Sequence, residues 1–186
     1  MKTFFFLIIF TISSSLFSQI TKGNWLVGGT GDFQKSKIKN TTSNGNIQEF
    51  ESMHFTISPD IGYFLADKFA AGLVLNFTVN NPSGSNNSSW GYQIGPFARY
   101  YFLNTDKIIN VFGELNCSFG KGISNQNSDS NSNNYEVKAG TALFFNNSVA
   151  LELSLNYNLN QLNTNSSDLD TKSLTLGIGF QIHLEK

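Results

Sequence analysis

A chain of 186 residues with a formal net charge of −1 has room for one domain and carries none of the Lys/Arg excess by which nucleic-acid binders hold phosphate. Only 13% of its residues are charged and 14% are aromatic, against ~25% charged in an ordinary soluble domain. Asn, Ser, Thr and Gly fill the deficit, which suits a wall apolar on one side and polar on the other, joined by uncharged loops.

The N-terminus has Lys2, then the apolar run Phe4–Ile12, then Ser13-Ser14-Ser15-Leu16-Phe17-Ser18-Gln19. This reads as a secretory signal cleaved near Ser18 or Gln19, giving an expected division into a signal peptide at 1–19 and a barrel domain at 20–186. No later run reaches the ~18 apolar residues of a transmembrane helix. An embedded mature chain must then be a closed barrel, since only helices and closed barrels satisfy every backbone group in lipid. The single cysteine, Cys117, excludes an internal disulfide framework and reads as a small hydrophobe on the apolar side of a strand.

Successive side chains of a strand point to opposite faces, so alternation marks each one. The first runs from Trp25 to Gln34, with Trp25, Val27 and Phe33 outward and Thr30, Asp32 and Gln34 inward. A polar connection, Ser36 to Gln48, leads to a second strand from Glu51 to Phe64. There Phe55, Ile57, Pro59, Ile61 and Tyr63 oppose His54, Thr56, Ser58, Asp60 and Gly62. Pro59 cannot donate to the ladder, so a bulge or local break is expected. After the turn Leu65-Ala66-Asp67-Lys68, Phe69 to Val79 sends Ala71, Leu73, Leu75, Phe77 and Val79 outward. The polar stretch Asn80–Ser89 precedes Trp90 to Phe102, with Gln93, Arg99 and Tyr101 inward and Trp90, Tyr92, Ile94, Tyr100 and Phe102 outward.

Asn104-Thr105-Asp106-Lys107 is the next short turn. Ile109 to Gly120 places Val111, Leu115 and Phe119 outward and Asn110, Glu114, Asn116 and Ser118 inward. Ile123 to Asn134 reads as the longest low-complexity loop, followed by Tyr135 to Phe145 with Glu136 and Lys138 inside. Asn146-Asn147 is a tight-turn dipeptide. Val149 to Leu159 alternates Val149, Leu151, Leu153, Leu155 and Tyr157 against Ala150, Glu152, Ser154, Asn156 and Asn158. Asn160 to Asp170 is polar, and Ser173 to Leu184 alternates Leu, Ile and Phe with Ser, Thr, Gly, Gln and His.

Eight strands with strictly alternating long polar and short connections predict an all-β fold, an eight-stranded antiparallel up-and-down transmembrane β-barrel. Strands of ~9–11 residues tilted by ~45° cross a bilayer. Outward aromatics gather near both strand ends, Trp25, Tyr63, Phe69, Tyr100, Phe102 and Phe145 at one and Phe33, Phe77, Trp90, Tyr92, Phe119 and Tyr135 at the other. Such girdles sit at headgroup level. The expected location is the cell outer membrane, with both termini inside and four long polar loops outside.

Three stretches, Pro59-Asp60-Ile61-Gly62-Tyr63-Phe64-Leu65, Ile94-Gly95-Pro96-Phe97-Ala98-Arg99-Tyr100-Tyr101-Phe102 and Phe112-Gly113-Glu114-Leu115, resemble the small outer-membrane β-barrel family of Bacteroidetes-type bacteria, similar in plan to the OmpA and OmpX barrels. The resemblance spans the chain after the signal. It implies insertion by the outer-membrane assembly machinery and brings no catalytic residue with it. Such barrels usually end on an aromatic residue; here Leu184 stands in that place, with Glu185 and Lys186 beyond.

The inner charged set is Asp32, Asp60, Arg99, Glu114, Glu136, Lys138 and Glu152. An eight-stranded barrel is just wide enough for side chains to fill, and unpaired charges there are costly. Arg99, Glu114, Lys138, Glu152 and Glu136 are therefore expected to form an ion-pair network in the lumen. His54 and His183 have no Cys partner or H-E-x-x-H spacing, so zinc is not suggested. The glycines at 28, 29, 31, 177 and 179 lie in strands and do not open a helix, which speaks against a nucleotide loop. The composite expectation is a non-enzymatic barrel without cofactor, metal or nucleic-acid partner, whose loops meet the surroundings in surface contact or envelope integrity. A narrow small-solute channel and a secreted soluble ligand-binding barrel are the alternatives.

Overall fold

The computed structural model describes residues 20–41, 47–82, 88–124, 129–146, 148–163 and 168–185; the signal segment 1–19 lies outside them. Eight strands follow in order: β1 (Trp25–Thr41), β2 (Ile47–Ala66), β3 (Phe69–Pro82), β4 (Ser89–Tyr101), β5 (Ile109–Ser124), β6 (Asp129–Phe144), β7 (Val149–Asn163) and β8 (Asp168–Leu184). Each pairs antiparallel with the next, and β8 returns to β1, closing the barrel.

The strands outrun their sequence-based limits. The β1–β2 ladder continues to Thr41↔Ile47, the β5–β6 ladder to Ile123↔Asp129 and the β7–β8 ladder to Asn163↔Asp168. Most of the polar stretches expected as loops are thus strand; only their tips, 42–46, 83–87, 125–128 and 164–167, lie outside the described residues. The reason is physical. Apolar alternation records the part of a strand with one face in lipid, whereas backbone pairing continues wherever Asn, Ser and Thr tolerate water on both faces.

The register sets the barrel's size. Carried round the wall from Gly28 through Asp60, Val74, Gly95, Ser118, Asn134, Asn160 and Thr171, with the register continued across the Pro96 lapse and past the last β1–β8 pair, it comes back onto β1 ten residues along, at Ile38. With strands ~4.8 Å apart and ~3.3 Å of rise per residue, that stagger gives a tilt of roughly 40° and a backbone radius of about 8 Å. Each residue then climbs about 2.5 Å, so about ten residues cross a ~25 Å apolar band. Strands of 13 to 20 residues project well beyond it.

The two faces separate as the alternation requires. Phe55, Ile57, Leu73, Leu115 and Leu176 are exposed on the outside, while Arg99, Glu152, Asn156 and Gln181 are fully buried inside. A soluble ligand-binding barrel would have the reverse arrangement, so that alternative is overturned. Outward aromatics meet in pairs at both rims: Trp25 with Tyr63 at 5.2 Å and Tyr100 with Phe102 at 5.3 Å, and Trp90 with Tyr92 and Phe119 with Tyr135, each at 6.4 Å between centroids.

Pro59 breaks the β2–β3 ladder without a bulge: pairing lapses between Ile57↔Phe77 and Asp60↔Val74 with the register kept. Pro96 makes the same lapse in β4–β5, between Ile94↔Phe119 and Phe97↔Asn116. The register shift in β2–β3 falls instead at Phe64/Ala66, beside the turn where Lys68 takes φ 67°. Asn146 Oδ1 accepts from the backbone N–H of Ser148 and of Val149, both at 2.8 Å, which tightens the β6–β7 turn.

Closure itself is testable. Val27 and Ile182 face each other across the β1–β8 seam. Antiparallel partners have Cα atoms ~4.5–5.5 Å apart, within disulfide reach. With Cys117→Ala as background, Val27→Cys/Ile182→Cys is expected to oxidise to a looped chain with a reducible gel shift. The slipped pair Val27→Cys/Phe180→Cys is expected not to, and equal oxidation of both would show a different register.

Candidate functional site

The inward residues fill the lumen in three levels. The lowest, at the turn end, is apolar. Leu26, Phe64, Ala70, Tyr101, Phe112, Ala142 and Ala150 come one from each of β1 to β7, and Ile20 joins them from the segment before β1. That segment is pinned beneath the wall by Lys68 N–H donating to Ile20 C=O at 2.8 Å and Gly23 N–H to Phe64 C=O at 2.9 Å. Tyr101 lies 6.1 Å from Phe64 and 6.0 Å from Phe112, centroid to centroid. His183, from β8, completes the floor 5.8 Å from Phe64 and 5.3 Å from Phe144. The bulky rings fit because glycines face them: a Cβ on Gly62 would stand 2.8 Å from Phe97 Cζ, and one on Gly140 2.8 Å from Phe112 Cζ. Sequence reading assigned the inner face as polar and missed this floor. Its signal was present: Leu26, Phe64 and Phe112 are large apolar residues at inward parity near the turn ends of their strands.

Above the floor stand the charges. Arg99 on β4, Glu114 on β5 and Lys138 on β6 are direct cross-strand neighbours on one face. Arg99 Nε donates to Glu114 Oε2 at 2.6 Å, and Arg99 Nη1 reaches Glu152 Oε1, on β7, at 2.8 Å. Lys138 Nζ lies 3.1 Å from Glu114 Oε1 and 3.4 Å from Glu136 Oε1. The structure thus brings together Arg99, Glu114, Lys138, Glu152 and Glu136. The guanidinium also sits 4.7 Å from the Phe112 ring centroid and 5.9 Å from that of Phe97, where a cation is attracted by the ring face. Among the described residues Asp32 and Asp60 stand apart from the ion pairs. Asn156 Nδ2 donates to Asp32 Oδ1 at 2.8 Å, and Gln181 Nε2 to Asp60 Oδ2 at 2.9 Å.

The upper level is polar and uncharged. Asn76 Nδ2 donates to Ser118 Oγ at 2.9 Å, Gln93 Nε2 to Ser132 Oγ at 2.6 Å and Asn134 Nδ2 to Asn158 Oδ1 at 3.1 Å. Asn116 Nδ2 joins this level to the charges by donating to Glu136 Oε1 at 2.9 Å. The two histidines lie at opposite ends, His54 opposite Gln34 and His183 opposite Leu26 along β1. The His183 ring is buried among Phe64, Tyr101 and Phe144. Among the described residues no group of three or more His, Cys, Asp or Glu side chains is placed to hold a metal.

A family model described as outer membrane protein beta-barrel domain matches residues 66–186. The fold recurs in solved structures, among them the following two. Neisserial surface protein A (NspA) has a TM-score of 0.59 at 18% identity over 87% of this chain and 97% of its own. The outer membrane protein OprG from Pseudomonas aeruginosa has a TM-score of 0.59 at 14% identity over 89% of this chain and 98% of its own. No curated protein matches the sequence.

Removing one partner of a buried ion pair leaves an uncompensated charge and costs ~3–5 kcal/mol. Arg99→Met is expected to lower stability by about that much in urea unfolding of the refolded barrel, because Glu152 then has no cation among the described residues and Glu114 keeps only Lys138. The neutral triple variant Arg99→Met/Glu114→Gln/Glu152→Gln is expected to recover most of the loss. A silent single substitution would show that the network is not structural.

Proposed function

The chain belongs to the outer membrane protein β-barrel domain family and resides in the outer membrane, and from that premise we propose that it is a non-enzymatic, non-conducting barrel that anchors polar β-ribbons at the cell surface. The observation that carries this reading is the lumen. Arg99, Tyr101, Phe64 and Phe112 are fully buried in it. A wall of about 8 Å backbone radius leaves little room once such side chains point inward. A solute entering from the hairpin end meets the amide and hydroxyl level, then the Arg99 network, then the aromatic floor. Passage would require breaking the two buried ion pairs of Arg99 and displacing Phe64 and Tyr101 together.

The projecting ribbons supply the outward role. The β5–β6 ribbon beyond Phe119 is built of Gly, Lys, Ile, Asp, Ser and Asn, and carries the ladder from Gly120↔Ser132 to Ile123↔Asp129. Such a ribbon offers hydrogen-bonding groups without a strong charge, which favours contact with neutral polar surfaces. In this reading the short turns and both ends of the barrel domain lie on the periplasmic side, and the outer-membrane assembly machinery inserts the wall.

Two measurements test the proposal. Planar bilayers containing the purified barrel are expected to show no conductance steps, while Phe64→Ala/Tyr101→Ala/Phe112→Ala opens the floor and gives measurable current. Steps in the unaltered protein would establish the small-solute channel instead. Replacing residues 121–131 by Asn-Gly closes the β5–β6 ribbon directly above Gly120↔Ser132. That variant is expected to fold and to change the adhesion of expressing cells to glass and to one another; unchanged adhesion would overturn the surface-contact role.

A further inference from the structure

The closing seam ends early. β1 and β8 pair from Trp25↔Leu184 to Asp32↔Gly177, although both strands continue beyond, to Thr41 and back to Asp168. At the end of that ladder the inner face holds a niche. Gly177 is its base, Asp32 on β1 and Ser154 on β7 flank it as cross-strand neighbours, and Asn156 and Thr175 face each other one step above. The point where a Cβ on Gly177 would stand is 2.6 Å from Asp32 Oδ1, 2.8 Å from Ser154 Oγ and 2.9 Å from Asn156 Nδ2. Polar groups from two strands therefore converge over a third that has no side chain there.

What remains unmatched in the niche is oxygen. Asn156 uses its amide N–H on Asp32, and its Oδ1 is buried without a partner among the described residues. Ser154 Oγ and Thr175 Oγ1 are likewise buried and, among the described residues, unpartnered. Ser154 is 4% exposed and Asn156 0%, so bulk water does not satisfy them. Buried polar atoms in native proteins almost always have partners, so the niche calls for an occupant that meets several oxygens at once.

Charge decides which. Among the described inward residues, Asp32, Asp60, Glu114, Glu136 and Glu152 face only Arg99 and Lys138. Both of those cations are engaged by Glu114, Glu136 and Glu152. Among the described residues Asp32 is in no ion pair. With the Asn156 amide turned so that its carbonyl takes the place of Nδ2 over Gly177, the set is all oxygen with one carboxylate in a negative setting, which matches a hard cation that takes carboxylate, amide carbonyl, hydroxyl and water ligands.

We propose that the niche over Gly177 binds a hard cation through the Asp32 carboxylate, the Asn156 side-chain carbonyl and the Ser154 and Thr175 hydroxyls, fastening β1 to β7 and β8 where their backbone pairing stops. The cation replaces, at that level, the hydrogen bonds that the seam no longer makes. It also offsets part of the lumen's excess negative charge.

The test uses the refolded full barrel, stripped by chelator and held in choline chloride at constant ionic strength. Calcium chloride and, separately, sodium chloride are added, and unfolding temperature is read from heat-modified gel mobility. One of the two is expected to raise the midpoint by about 5 °C in the unaltered protein. The rise is expected to vanish in Asp32→Asn and in Gly177→Ala, which fills the niche. Ser154→Ala/Thr175→Val, which changes no charge, is expected to reduce it and decides the matter if Asp32→Asn does not fold. No rise with either salt, or equal rises in the unaltered protein and the variants, would overturn the proposal and leave water as the occupant.

Discussion

Every backbone N–H and C=O that enters lipid must find its partner within the protein, because hydrocarbon supplies none. That single requirement forces the sheet to close on itself, and the rest of the structure follows from closure. Eight strands with a stagger of ten residues admit only a narrow range of tilt and radius. A narrow wall turns half of each strand inward into a space that side chains must share. Gly62 and Gly140 are where they are because Phe97 and Phe112 occupy the space a Cβ would need. Pro59 and Pro96 are tolerated because each interrupts one ladder while the opposite one continues.

The same requirement explains why charge is placed inside and apolar surface outside. Lipid rewards Leu73, Leu115 and Leu176 on the outer face, so polar residues have only the lumen to occupy. Once there they are far from bulk solvent and depend on one another. Arg99 is suited to the central position because its planar guanidinium donates in fixed directions to carboxylates on two sides and lays its face over Phe112. A lysine there would give a single point of charge and could not span Glu114 and Glu152 in the same way. Specific pairing of this kind also fixes which strands lie opposite which across the lumen.

Much of the wall was legible in the chain. Parity of apolar residues, the two-beat rhythm of connections and the rim aromatics are direct consequences of lipid on one face, and lipid selects strongly at each position. Arg99 and Glu114 could be placed together because the short turn between β4 and β5 fixes them as cross-strand neighbours, whereas Lys138 lies across the long β5–β6 connection and only its parity put it on the same face. Three features escaped the sequence. The polar upper strands carry no hydrophobic period, so Asn, Ser and Thr on both faces read as loop. The floor breaks the apolar-out rule at only one level, through Leu26, Phe64 and Phe112. The niche at Asp32 unites residues from β1, β7 and β8, and its geometry depends on the stagger of the whole wall, to which no local stretch of sequence testifies.

The Arg99–Glu152 contact joins β4 to β7 through the interior, between residues 53 positions apart in the chain. In mechanical terms it is a spoke. A hollow cylinder under lateral compression flattens into an ellipse at little cost, since bending its wall is easy. A cylinder braced from wall to wall keeps its cross-section, and with strand number and stagger fixed its staves keep their slope as well. Changes in bilayer thickness or lateral pressure should therefore reach this protein as a lean of the whole barrel in the membrane, moving the outer ribbons nearer to or farther from the membrane plane while the interior stays round.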